Sequence, residues 1–219
     1  MDYSGIEILF PSFLITCCLS SYEYFRLQQY ISENRVFRLA PFIAYLLLAA
    51  SCILFSSKFI AWLLIANFLH SIKSNGLVQG ASDFLLHFMG ILLSLFCFGL
   101  IEEEQVIRSA SNFLGVFYFI SGIDKIKNLK HWKAKSLWAF EKHYSITLLK
   151  TEKTKKLMLF LMLAFELGFL ILMQIKESLL ALIAIGILFH LLIAYFLGLT
   201  RFLKHFLLYY IALYFFISI

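Results

Sequence analysis

The side chains able to do chemistry are few, and most lie inside or beside apolar runs. Lys125 follows Ser121 by four residues and Tyr118 by seven, and Trp132 comes seven residues later. On a continuous helix these four share one face. A lysine there either snorkels to lipid phosphates or, partly desolvated, acts as a general base or holds an anion. Glu166 sits deep in an apolar run. If neutral it is an acid, and if ionised it needs a partner; a single interhelical hydrogen bond is the plain alternative. Gly186, His190, Ala194 and Gly198 recur every four residues. Such a stripe of small residues lets another helix approach closely, so His190 faces protein rather than lipid, as a packing or a functional histidine. Its central depth sets it above His70, His131, His143 and His205, which fall near segment ends or in loops. Asp83 and His87 are four apart, with Gly90 and Ser94 on the same face. They read as a structural hydrogen-bond pair or a catalytic pair, and Asp83 is also placed to cap its helix.

The elements that must position these groups are membrane helices. Hydrophobic residues make up 62% of the 219, charged residues 15%, and the mean hydropathy is +0.87. A soluble domain is nearer half apolar. Phe and Leu abound and Pro occurs only twice, which favours helices over a barrel of alternating polar and apolar positions. Eight apolar segments stand out, at about 5–22, 37–55, 57–72, 82–100, 106–122, 157–175, 178–199 and 202–219. The expected fold is therefore an all-α, polytopic transmembrane bundle of about eight helices, in a multi-pass protein of the cell membrane. Several segments are short of the roughly 20 residues a span prefers, which tilt or local thinning accommodates.

Basic residues test that count. Arg26, Arg35, Arg38, Lys73, the lysines between 125 and 156, Arg201 and Lys204 fall on one side, against Lys58, Arg108 and Lys176 on the other. That bias places the lysine-rich loop in the cytoplasm and both termini outside. The net charge of +6 thus reads as topology and attraction to membrane lipids, with no nucleic-acid partner. The loop at 123–156 mixes its lysines with Trp132, Trp138, Phe140 and Tyr144. That composition suits an interfacial amphipathic helix, or a re-entrant segment capping a site in the bundle. Met-Asp-Tyr-Ser-Gly at the start lacks a basic n-region, so the first span is expected to be retained. Cys17, Cys18, Cys52 and Cys97 contain no Cys-x-x-Cys pair, which disfavours a thiol-redox enzyme. No set of residues has the spacing of a metal site.

Three stretches together resemble the HTTM family. They are residues 75–86 (Asn-Gly-Leu-Val-Gln-Gly-Ala-Ser-Asp-Phe-Leu-Leu), residues 118–126 (Tyr-Phe-Ile-Ser-Gly-Ile-Asp-Lys-Ile) with Trp132, and Glu166 followed by residues 186–198. This is the membrane domain of vitamin K-dependent gamma-glutamyl carboxylase and of many bacterial proteins. Among the latter, a sporulation-delaying-protein-B-like group helps mature a secreted peptide toxin. The resemblance implies a single HTTM-like domain over 1–219. It implies that Lys125 is the catalytic base and that His190 lies beside it, both expected to be catalytic, with Asp83 and Glu166 lining the site; Tyr118 and Trp132 of the matching motif, and His87 by its spacing from Asp83, are expected at the substrate with them. It further implies a reduced quinone as cofactor, and carboxylase- or lyase-like chemistry on a small secreted peptide or a lipid-like substrate. The carboxylase's large lumenal domain has no counterpart, so the resemblance does not extend to vitamin K carboxylation itself. A non-enzymatic binding, immunity or export protein is the competing expectation.

Overall fold

A computed structural model of the chain describes residues 5–28, 81–129, 151–197, 200–217 and 219. These residues form six α-helices and one 3-10 turn, with no strand among them. The helices are α1 (Gly5–Gln28), α2 (Ala81–Cys97), α3 (Glu103–Lys127), α4 (Glu152–Leu172), α5 (Leu179–Leu197) and α6 (Thr200–Phe216), the turn Lys176–Ser178 lying between α4 and α5. Six of the eight expected segments are thus helices. The expected segments at 37–55 and 57–72 lie outside the described residues.

Apolar length does not set where these helices end. α3 runs on past residue 122 to Lys127, and α4 begins at Glu152 rather than 157. Both helices therefore take residues from the expected loop at 123–156, of which 130–150 lie outside the described residues. Local hydrogen bonds fix these boundaries. Thr151 caps α4 by accepting from the Thr154 N–H at 3.2 Å. Its first turn then pairs Lys155 with Glu152 at 3.6 Å. α2 closes with Gly99 at φ +71°, while the Leu100 N–H reaches the Leu95 carbonyl at 3.0 Å. That is the glycine-terminated cap of a helix whose closing residue takes a left-handed conformation, which other side chains rarely adopt. α3 opens with Gln105 accepting from the Glu102 N–H at 2.8 Å, the reciprocal half of a capping box.

The described residues fall into two compact units. In the first, α1, α2, the start of α3 and α6 enclose Leu9, Phe13, Leu85, Met89, Leu93, Phe206 and Tyr209. Gly90 is in contact range of Phe13, and Gly5 packs against Ile107 and Phe215. Glu103 accepts from the Ile6 N–H at 3.1 Å, capping the first turn of α1 from another helix. The Tyr209 hydroxyl donates to the Leu85 carbonyl at 2.7 Å, joining α6 to α2.

The second unit carries α4, α5 and α3 from Ser111 onward. Its interior mixes apolar and ionisable side chains, and apolar side chains also lie on its surface. Lys125, Glu166 and His190 are buried, while Ile120, Phe160, Ile171, Leu188 and Tyr195 (82% exposed) face outward. Among the described residues one helix, Glu103–Lys127, is both long and apolar enough to cross a membrane. α5 carries no charged side chain over its 19 residues.

Because the Tyr209 hydroxyl is buried and bonded, Tyr209→Phe leaves the Leu85 carbonyl without a partner from α6. It should cost about 1–3 kcal/mol, read as a lower unfolding midpoint of the detergent-solubilised protein.

Candidate functional site

α3 approaches α4 closely because glycines line their seam. A β-carbon at Gly122 would lie 2.7 Å from Leu167 Cδ2 and 3.4 Å from Glu166 Cβ. One at Gly115, a heptad earlier, would press on Met173 Sδ and meet Leu170 Cδ1 at 2.9 Å. The missing side chains let the helix axes draw together. That closeness brings Lys125 onto Glu166, with Nζ 2.7 Å from Oε1. Lys125 is 6% exposed and Glu166 5%.

The direction of the lysine is informative. A lysine anchoring the end of a span extends toward the polar surface. Lys125 instead folds back along α3 and donates to Ser121 Oγ, four residues earlier, at 2.7 Å. Ser121 Oγ in turn donates to Glu166 Oε1 at 3.3 Å. The snorkelling reading is therefore replaced by a buried ion pair. Glu166 lies ten residues beyond Lys156 on α4, about 15 Å of helix. The other carboxylate oxygen, Glu166 Oε2, is buried with no hydrogen-bond partner among the described residues.

Two turns back along α3 from Lys125, Tyr118 meets His190 of α5. The His190 Nδ1–H donates to the Gly186 carbonyl at 2.8 Å. In the neutral ring this leaves Nε2 as the acceptor facing the Tyr118 hydroxyl, at 3.4 Å. Phe165 and Phe169 of α4 and Phe189 of α5 pack around the pair, with ring centroids 4.6–5.5 Å apart. The small-residue stripe is buried as its spacing predicted, at Gly186, His190 and Ala194; Gly198 lies outside the described residues.

The structure thus makes two polar contacts across three helices of one unit, Lys125 with Glu166 and Tyr118 with His190. Ser121, on their face in sequence but not expected at the site, joins the two charged groups. His87 is half-buried on α2, in the other unit. The Asp83 side chain and Trp132 lie outside the described residues. Sequence reasoning treated Lys125 and Glu166 separately; the signal it lacked was the Gly115/Gly122 heptad that brings α3 onto α4.

It also placed His205 near a segment end. His205 is instead fully buried and bonds Ser20 of α1 through Nε2 at 2.8 Å. α6 begins at Thr200, so His205 is already one turn inside the helix.

Among the described residues no group of three or more His, Cys, Asp or Glu is placed to hold a metal ion. Cys17 and Cys97 are buried, and Cys18 is partly buried. No family model, curated protein or solved structure matches the chain.

Two tests follow from the seam and the pair. Gly122→Val should destabilise the protein by about 1–3 kcal/mol through overpacking. Gly168→Ala, where a β-carbon meets nothing closer than 3.8 Å, should be neutral or stabilise by about 0.5–1 kcal/mol. Lys125→Met strands a buried carboxylate and should cost about 3–5 kcal/mol. Adding Glu166→Gln should recover most of that loss. Equal losses in the single and double variants would mean the two groups do not interact.

Proposed function

We propose that the chain is a polytopic membrane protein of about eight helices, an HTTM-type enzyme or maturation factor. It acts on a small secreted peptide or a lipid-like substrate inside the bundle. The observation that carries this reading is the Lys125–Glu166 pair, buried between helices whose outer faces are apolar. Ionisable groups are costly at such positions and are commonly retained for function. The uncharged 19-residue α5 and the exposed apolar faces of α3 and α4 support the membrane setting.

In this reading Lys125 is the general base and Glu166 its proton acceptor. The Nζ–H···Oε1 hydrogen bond offers a path of 2.7 Å. Moving that proton converts the ion pair into a neutral amine beside a neutral acid, a change that low dielectric favours over separated charge. The Nζ lone pair then takes a proton from the substrate. Ser121 holds Nζ in place, and Tyr118 with His190 forms the neighbouring polar wall. A reduced quinone and the carboxylase- or lyase-like reaction rest on the family resemblance alone.

One observation favours a second reading, a non-enzymatic protein that binds a peptide or lipid. Lys125 is already matched by a carboxylate, so its charge and packing alone would serve binding. The two readings differ on Lys125→Arg. Guanidinium keeps the charge but does not deprotonate in a protein.

The test compares secreted small peptides by mass spectrometry from cells carrying the wild type, Lys125→Ala, Lys125→Arg or no protein. The enzyme reading expects a peptide mass change that needs the wild-type protein and is lost in both variants, with membrane insertion unaltered. Retention of the change in Lys125→Arg contradicts the base role.

A further inference from the structure

The exposed side chains of α4 are sorted along its axis rather than around it. Its first residues present Glu152, Lys153 and Lys156 to the outside. The residues that follow expose Leu157, Met158, Phe160 and Leu161, all large and apolar. A helix on the surface of a soluble protein keeps polar groups on its outer face along its whole length. A change of polarity at one level is what a boundary between water and hydrocarbon requires.

The far end repeats the order in reverse. Ile171, Leu172, Gln174 and Ile175 are exposed, and Lys176 and Glu177 follow. Leu157 to Leu172 is about 24 Å of helix, and the residues up to Ile175 lengthen it toward the roughly 30 Å of a bilayer core. Glu166 is ten residues from Lys156 and ten from Lys176, so it falls midway between the two boundaries.

α3 turns polar nearer that middle. Gly122 lies beside Glu166 and Leu167, and Gly115 beside Leu170 and Met173, so the two helices run antiparallel. In that register Asp124 and Lys127, both exposed, come about 8–12 Å short of the level of Lys156. A headgroup layer around the pair therefore steps inward on the α3 side.

Charge distinguishes these polar ends. Lys127 has Asp124 one turn away, and Lys176 has Glu177 beside it. At the start of α4, Glu152 pairs with Lys155, whose side chain is buried, at 3.6 Å. Lys153 and Lys156 are in excess, and among the described residues neither has a carboxylate partner.

We propose that the start of α4 is a docking surface for anionic phospholipids. Lys153 and Lys156 meet the headgroup phosphates, and Leu157, Met158, Phe160 and Leu161 lie among the acyl chains. The inference goes beyond the proposed function but rests on its membrane setting. A lysine at an anionic leaflet favours anionic over neutral lipid about fivefold, and salt screens that preference.

The experiment is electron spin resonance of chain-labelled lipids at trace level, in phosphatidylcholine vesicles that hold the full-length protein. Lipid against an inserted protein gives a motionally restricted component. Its size for phosphatidylglycerol and for phosphatidylcholine labels gives the preference. The expected result is a preference for phosphatidylglycerol that falls between about 20 mM and 500 mM salt. Lys153→Gln with Lys156→Gln should lower it about twofold or more, the signal averaging over every lipid site around the protein. Lys153→Arg with Lys156→Arg should keep it, and Lys176→Gln should leave it unchanged.

No preference for phosphatidylglycerol in the wild type overturns the proposal. So does a wild-type preference in the inserted Gln double variant, or loss of the preference in the Arg double variant. A protein that gives no restricted component with either label overturns the membrane setting itself, and the proposal with it. The two failures are thus told apart in one set of spectra.

Discussion

Burial of one ammonium against one carboxylate governs the second unit. Neither Lys125 nor Glu166 is tolerable alone among apolar helices, because each carries a desolvation cost of several kcal/mol. Together, at 2.7 Å and tied by Ser121, they are matched. The requirement fixes much else. α3 must pass α4 at glycine distance, which Gly115 and Gly122 permit. α3 must also stay helical beyond its apolar run, so that Ser121 and Lys125 remain on one face. Such a pair is weak evidence for stability, since well-packed apolar residues often do as well. Its presence therefore points to use rather than to folding.

The polar groups of the first unit do a different job. Glu103 on the Ile6 N–H, Tyr209 on the Leu85 carbonyl and Ser20 on His205 each satisfy a group by a bond between elements distant in sequence. Such bonds are how helices in an apolar setting specify their neighbours, where hydrophobic contact alone discriminates little. Among the described residues the second unit also holds two buried polar atoms with no hydrogen-bond partner, Ser111 Oγ and Glu166 Oε2.

Much of this was legible in the sequence because long apolar runs without strand alternation announce helices by composition. The helix class and six segment positions followed from apolar length. Helix ends did not, since Thr151, Gly99 and Gln105 act through local hydrogen bonds that apolarity does not register. Tyr118, Ser121 and Lys125 share a face by simple periodicity. Their meeting with Glu166 and His190 depends on how three helices pack, and a single sequence encodes that only faintly, in glycines seven residues apart. His205 lies near the start of its segment, as its position in the sequence indicates, yet it is fully buried.

The central claim is that Lys125 of α3 and Glu166 of α4 are in direct contact. The most direct measurement is solid-state NMR of the protein in lipid bilayers, with ¹⁵N at lysine Nζ and ¹³C at the glutamate side-chain carboxyl, read by dipolar recoupling between the two nuclei. An Nζ–carboxyl contact that is present in the wild type beside that of Lys155 with Glu152, and that vanishes in Glu166→Gln, is the result a 2.7 Å pair requires. No recoupling at Lys125, in protein that is folded and inserted, would show that the pair does not form.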